Sequence, residues 1–194
     1  TGMLTLAFNI KPVKASGTIY IRADGSIDPP TAPISTIDNV TYTFTDNIND
    51  SIVIERSNII VNGTGYTVEG DGTGNGLSLQ STVNVTITNT RIEDCIDGIQ
   101  LFNSANCNLA GNYIAGNSYE GIGIYYSSGN TITENSLTNN QVGVGIYESS
   151  NNYIFHNSLA NNVYQVHTET SVNVWDNGYP SGGNYWSDYS GVDS

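Results

Sequence analysis

Asp97 and Glu120 stand 23 residues apart, each directly before a Gly-Ile pair. If the fold stacks the two stretches, two carboxylates about 5 Å apart could serve a glycosidase as acid and nucleophile. The same pair could hold a hard cation such as calcium. Neither chemistry finds its other parts. The pectin-hydrolase pattern of Asn-Thr-Asp, Asp-Asp, His-Gly and Arg-Ile-Lys is absent, and only Arg56 and Arg91 could supply a lyase with a basic residue inside the repeated region. The simplest expectation is a pair of solvated turn acids, and no catalytic residue is assigned.

A copper site needs converging Cys, Met or His. The chain holds Cys95, Cys107, Met3, His156 and His167. His156 falls 22 residues after Glu134, a spacing that suggests a surface ion pair or a filler rather than a ligand. No metal and no cofactor is expected. The two cysteines lack the close spacing of zinc ligands. Twelve residues apart, they could face each other across a core as a disulfide or as two buried thiols.

Phe102, Tyr125 and Tyr147 recur at the same place in successive repeats, one residue after an apolar position. Strand alternation then turns them outward as a flat stack, suited to a sugar ring, to another protein surface or simply to covering the sheet.

What must position these residues is a repeat. Gly76, Gly98, Gly121 and Gly143 are spaced by 22, 23 and 22 residues, and apolar residues keep the same rhythm: Leu77, Ile99, Ile122, Val144, then Leu79, Leu101, Ile124, Ile146. Within each unit they come as i, i+2 pairs between Gly, Asn and Ser, which is strand and turn punctuation. Stacking one unit per coil superimposes like residues at about 4.8 Å and predicts parallel ladders along a solenoid. The expected fold is all-β: a single-stranded, right-handed parallel β-helix of about 22-residue coils with terminal caps.

The 26 Asn have a role in such a fold. An inward Asn at a bend can bond backbone groups and the Asn above it. One expected ladder runs through Thr90, Asn112, Asn135 and Asn157, the other through Cys95, Asn117, Asn140 and Asn162. Asn130, nearer the start of a strand, is expected to tolerate replacement better.

Residues 1–17 read as an apolar leader or exchanged strand, 18–50 as capping strands, 51–172 as coils and 173–194 as an aromatic cap. Open solenoid ends need such covers. The stretch "MLTLAFNIKPVKAS" is apolar, then offers Val13-Lys14-Ala15 as a signal-peptidase pattern, although a basic flank ahead of it is missing. Export by a signal peptide and an extracellular or cell-surface location are expected. N-x-[ST] sequons at Asn39, Asn49, Asn62 and Asn84 are glycosylation candidates.

"SSNNYIFHNSLANN" together with "GYPSGGNYWSDYSG" resembles the right-handed parallel β-helix proteins of the NosD-like and CASH-domain type, over residues 18–191. That resemblance implies the fold. It implies less about function, because the family includes polysaccharide-active enzymes, carbohydrate-binding modules and a periplasmic protein associated with copper delivery.

Charge narrows the partners. With 18 acids against 5 Lys and Arg the formal net charge is −13, which repels phosphate backbones and excludes nucleic acid. No segment reaches the roughly 18–20 apolar residues of a membrane span. The expected function is a non-catalytic structural or adhesive module that associates with itself through its N-terminal strand and solenoid ends. The alternative is a carbohydrate-binding or polysaccharide-cleaving domain with surface glycans as partners.

Overall fold

Short apolar pairs two residues apart can bury one face of a strand but no stripe of a helix. The computed structural model, which describes residues 17–191, accordingly contains strands and no helix among those residues. In chain order they are β1 (Thr18–Ile21), β2 (Ile27–Asp28), β3 (Ile34–Ser35) and β4 (Thr41–Phe44). Next come β5 (Ser51–Ile54), β6 (Ile59–Asn62), β7 (Thr67–Glu69), β8 (Leu77–Gln80), β9 (Val85–Thr88) and β10 (Arg91–Glu93). The regular coils follow: β11 (Ile99–Phe102), β12 (Asn108–Ala110), β13 (Tyr113–Ala115), β14 (Glu120–Tyr125), β15 (Thr131–Thr133), β16 (Ser136–Thr138), β17 (Val142–Tyr147), β18 (Tyr153–Phe155) and β19 (Ser158–Ala160). The last are β20 (Tyr164–Glu169) and β21 (Tyr185–Trp186).

From β5 to β20 every third strand stacks on its predecessor, so three sheets build a parallel β-solenoid of about six coils. The first sheet orders β2-β1-β5-β8-β11-β14-β17-β20, the second β18-β15-β12-β9-β6-β4-β3 and the third β21-β19-β16-β13-β10-β7. The pairing follows the sequence columns: Leu77 lies beside Ile99, Ile99 beside Ile122 and Ile122 beside Val144. These side chains, with Ile87, Leu109, Ile132, Ile92, Ile114 and Leu137, fill a continuous buried core. The glycine column is a matter of close approach. A Cβ on Gly121 would lie 2.8 Å from the Gly143 carbonyl and 2.9 Å from Leu137 Cδ2.

Polar ladders fix the corners. Asn112 N–H and Nδ2 both donate to Asn135 Oδ1 at 3.0 Å, and Asn135 Nδ2 donates to Asn157 Oδ1 at 2.9 Å. The second column links Asn117 to Asn140 at 2.8 Å and Asn140 to Asn162 at 3.0 Å. A third column, not foreseen, runs from Cys107 through Asn130 and Asn152 to Asn173. A fourth is hydroxylic: the N–H groups of Thr82, Ser104, Ser127 and Ser149 each donate to the serine Oγ one coil on. Many remaining asparagines, Asn58, Asn89, Asn106 and Asn151 among them, hold left-handed backbone at turns, where Asn is better tolerated than most residues.

The ends differ. Residues 18–50 contribute β1 and β4 to the parallel stacks, and also β2 and β3, which fold back antiparallel on β1 and β4. Arg56 secures the connecting loops by donating to the Ala23 and Asn39 carbonyls. At the other end β21 covers β19, Val174 bridges to Tyr153, and Trp175 meets Trp186 with ring centroids 6.0 Å apart. Asn173, Asn184 and Gln165 accept the last ladder bonds. β20 ends its sheet with no strand beyond it among the described residues.

Candidate functional site

The first sheet carries the chemistry-bearing side chains on its outer face. In β14 and β17 the sequences Glu120-Gly-Ile-Gly-Ile-Tyr125 and Val142-Gly-Val-Gly-Ile-Tyr147 put Ile122, Ile124, Val144 and Ile146 in the core. Alternation leaves Gly123 and Gly145 facing outward as a bare floor. Into that floor Glu120 turns its carboxyl: a Cβ on Gly123 would collide with Glu120 Oε2, and one on Gly145 with Oε1. Tyr125 donates to Glu120 Oε2 at 2.8 Å, and Tyr147, from the next coil, donates to Oε1 at 2.7 Å. The Tyr119 hydroxyl lies 3.4 Å from that of Tyr147.

Asp97 is the neighbour one coil earlier. Its Oδ1 accepts the Glu120 N–H at 3.2 Å and its Oδ2 accepts from Gln100 Nε2 at 3.0 Å. The expectation of two solvated turn acids is corrected here, since Asp97 is 3% exposed and Glu120 0%. Desolvation raises both carboxyls. It pushes Glu120 to about 7 against the opposing pull of the two tyrosine hydroxyls, with the Asp97 charge adding to the rise. Desolvation likewise raises the Tyr125 and Tyr147 hydroxyls, with the Glu120 charge in support.

The aromatic column is a pair rather than a triple. Tyr125 and Tyr147 stack at 4.9 Å and 6°, so one face of each is turned to the other. Phe102 instead packs edge-to-face on Tyr126 at 5.8 Å, because the Tyr125 ring is drawn back over Gly123 toward Glu120. The flat three-ring surface expected from the sequence is therefore not formed.

The other candidate residues lie apart from this site. His156 turns to Ser181, its Nε2 2.8 Å from that carbonyl, not to Glu134. His167 lies on β20, with Nε2 3.1 Å from Glu169 and its ring tilted against Tyr147. Cys95 and Cys107 are buried free thiols in different ladders, so the disulfide alternative does not hold. Each thiol donates to a backbone carbonyl, Glu93 at 3.3 Å and Ala105 at 3.4 Å. Burial raises both, Cys95 to about 11. Arg91 pairs with Glu93 at 2.6 Å and lies over the Tyr113 ring, while Arg56 is held by its loop carbonyls. Asn39, Asn49 and Asn84 are exposed, and Asn62 is half-buried.

A family model described as periplasmic copper-binding protein (NosD) matches residues 14–191. The chain belongs to the NosD family. No curated protein and no solved structure matches it. The copper in the NosD description can be tested against the donors. Among the described residues no three His, Cys, Asp or Glu are grouped to hold a metal ion. The thiols point into the solenoid, and burial raises both away from the thiolate form that copper and similar metals bind. Met3 lies outside the described residues. Among its described residues, the donor set of this NosD-family chain does not fit a copper site. Among the described residues no helix is long and apolar enough to cross a membrane.

Proposed function

We propose that this protein is a non-catalytic, exported structural or adhesive module that associates with itself end to end. One observation carries the reading: the acid best placed for chemistry, Glu120, has both oxygens occupied by tyrosine hydroxyls and no exposed surface. A substrate atom could reach it only after two packed rings moved. The neighbouring acid, both thiols and both coil arginines are likewise engaged within the chain. What remains to act is a surface held rigid by four corner ladders. The family's periplasmic description supports export.

Electron microscopy of native material, paired with a reducing-end assay over a panel of polysaccharides, tests the reading. Filaments and no released ends are expected. Released reducing ends that vanish in Asp97→Asn/Glu120→Gln would overturn it.

A second reading, carbohydrate binding, draws support from the exposed Phe102 and Tyr126 rings beside the tyrosine pair. Affinity electrophoresis separates the two: retardation by one glycan, lost in Phe102→Ala/Tyr126→Ala with the fold intact, favours binding over assembly.

A further inference from the structure

The two ends of the first sheet are not equivalent. Its N-terminal edge is closed by β2, which lies antiparallel on β1 and forbids another parallel coil there. At the C-terminal end the second and third sheets are covered by Val174 and β21, but among the described residues β20 is left as a six-residue edge. The Glu169 carbonyl accepts from the Glu148 amide one coil back. Backbone groups alternate sides along a strand, so the N–H and C=O of Val166 and Thr168 face the open edge. Long unpaired edges of this kind are templates for strand addition.

A complement lies in the same sequence. Leu4-Thr5-Leu6-Ala7-Phe8-Asn9-Ile10 alternates large apolar residues with small or polar ones, the period of a half-buried strand, and its seven residues are enough to span the six of β20. This segment lies outside the described residues and ahead of the family match, which begins at residue 14. It is followed by Lys11 and Lys14, two of the five cations in a chain of net charge −13, while Glu169 ends β20 and Glu148 lies one coil behind it.

Geometry decides whose segment it is. From β1 through β5, β8, β11, β14, β17 and β20 to an added strand is seven sheet steps, about 34 Å along the axis. From Ile10 to Thr18 the chain spans eight residue steps, about 29 Å when fully extended. A chain cannot lay its own segment on its own β20.

Resting on the self-association reading above, we propose that Leu4–Ile10 of one copy adds to the β20 edge of the next, giving head-to-tail polymers. The contact is heterologous and leaves a free donor at one end and a free edge at the other, so growth does not close.

The test uses three chains: the full chain, a form lacking residues 1–15, and a full chain carrying Thr168→Pro. Proline at 168 removes only an N–H that faces the open edge, so the bonds to β17 remain. Light scattering should show polymers for the full chain and single chains for the truncated form and the Thr168→Pro variant. Mixing these last two, one with only an edge and the other with only a donor, should give a one-to-one pair. A labelled peptide of residues 3–14 should bind the truncated form by fluorescence anisotropy, and this arm stands even if Thr168→Pro does not fold. A truncated form that still polymerises, or that ignores the peptide, overturns the donor strand while leaving self-association standing. A full chain that is monomeric at high concentration overturns both. Mature protein from cells that begins after residue 15 also overturns the donor strand.

Discussion

The Tyr147 hydroxyl reaches across from one coil to donate to Glu120 Oε1 of the preceding coil at 2.7 Å, and seals that carboxyl from water. The seal has a pH signature. Glu120 is raised from its ordinary 4.5 to about 7, with desolvation the main cause. Between those values the folded protein keeps a proton that the unfolded chain has released. Its contribution to stability is therefore full below about 4.5 and falls as pH rises to about 7, by about 3 kcal/mol. Denaturant melts of wild type and Glu120→Gln from pH 4 to 8 check this. The wild-type curve should fall more steeply with pH than the variant's, and parallel curves would refute the assignment.

The glycine floor should be as demanding as the carboxyl. A methyl on Gly145 would collide with the Glu120 carboxyl, which cannot retreat without leaving its tyrosine donors. Gly145→Ala is expected to cost about 1–3 kcal/mol, the range for overpacking a filled site. The cost should shrink in a Glu120→Ala background, where the oxygens are gone. A double-mutant cycle measures the coupling, and additive changes would place the strain elsewhere.

The repeat exposed the solenoid to sequence reading because each coil places equivalent residues in equivalent surroundings, so Gly76, Gly98, Gly121 and Gly143 or Leu77, Ile99, Ile122 and Val144 fall into columns. Glu120 was harder to read. Its burial depends on how an outward tyrosine folds over outward glycines, and column-by-column reading assigns outward positions to solvent. A signal did exist: glycine two residues ahead of tyrosine in both β14 and β17 leaves room on the outer face for something else to fill.

The third ladder changes what Asn130 should tolerate. Its Oδ1 accepts the Cys107 N–H at 2.9 Å, and its Nδ2 donates to Asn152 Oδ1 at 3.0 Å, with no exposed surface. Asn135 makes the equivalent bonds in its own column. Leucine at either position strands buried donors and acceptors at about 1–3 kcal/mol each. Asn130→Leu and Asn135→Leu should both lower the melting temperature by comparable amounts. A melting temperature of either variant equal to wild type would remove that residue from its ladder.

The thiols give a test of core integrity. Thiolate is the reactive form, and Cys95 is pushed up to about 11 while Cys107 is raised by the same desolvation. Both sulfurs also sit inside the solenoid, each donating to a carbonyl two residues back. Neither should react with an aromatic disulfide reagent at pH 8 in the folded protein, and both should react at once in denaturant. Because the two belong to different ladders, the denatured, unreduced protein should titrate as two thiols and not as none. A count of zero after unfolding would mean that the cysteines are bridged, and that the columns holding them differ from those described.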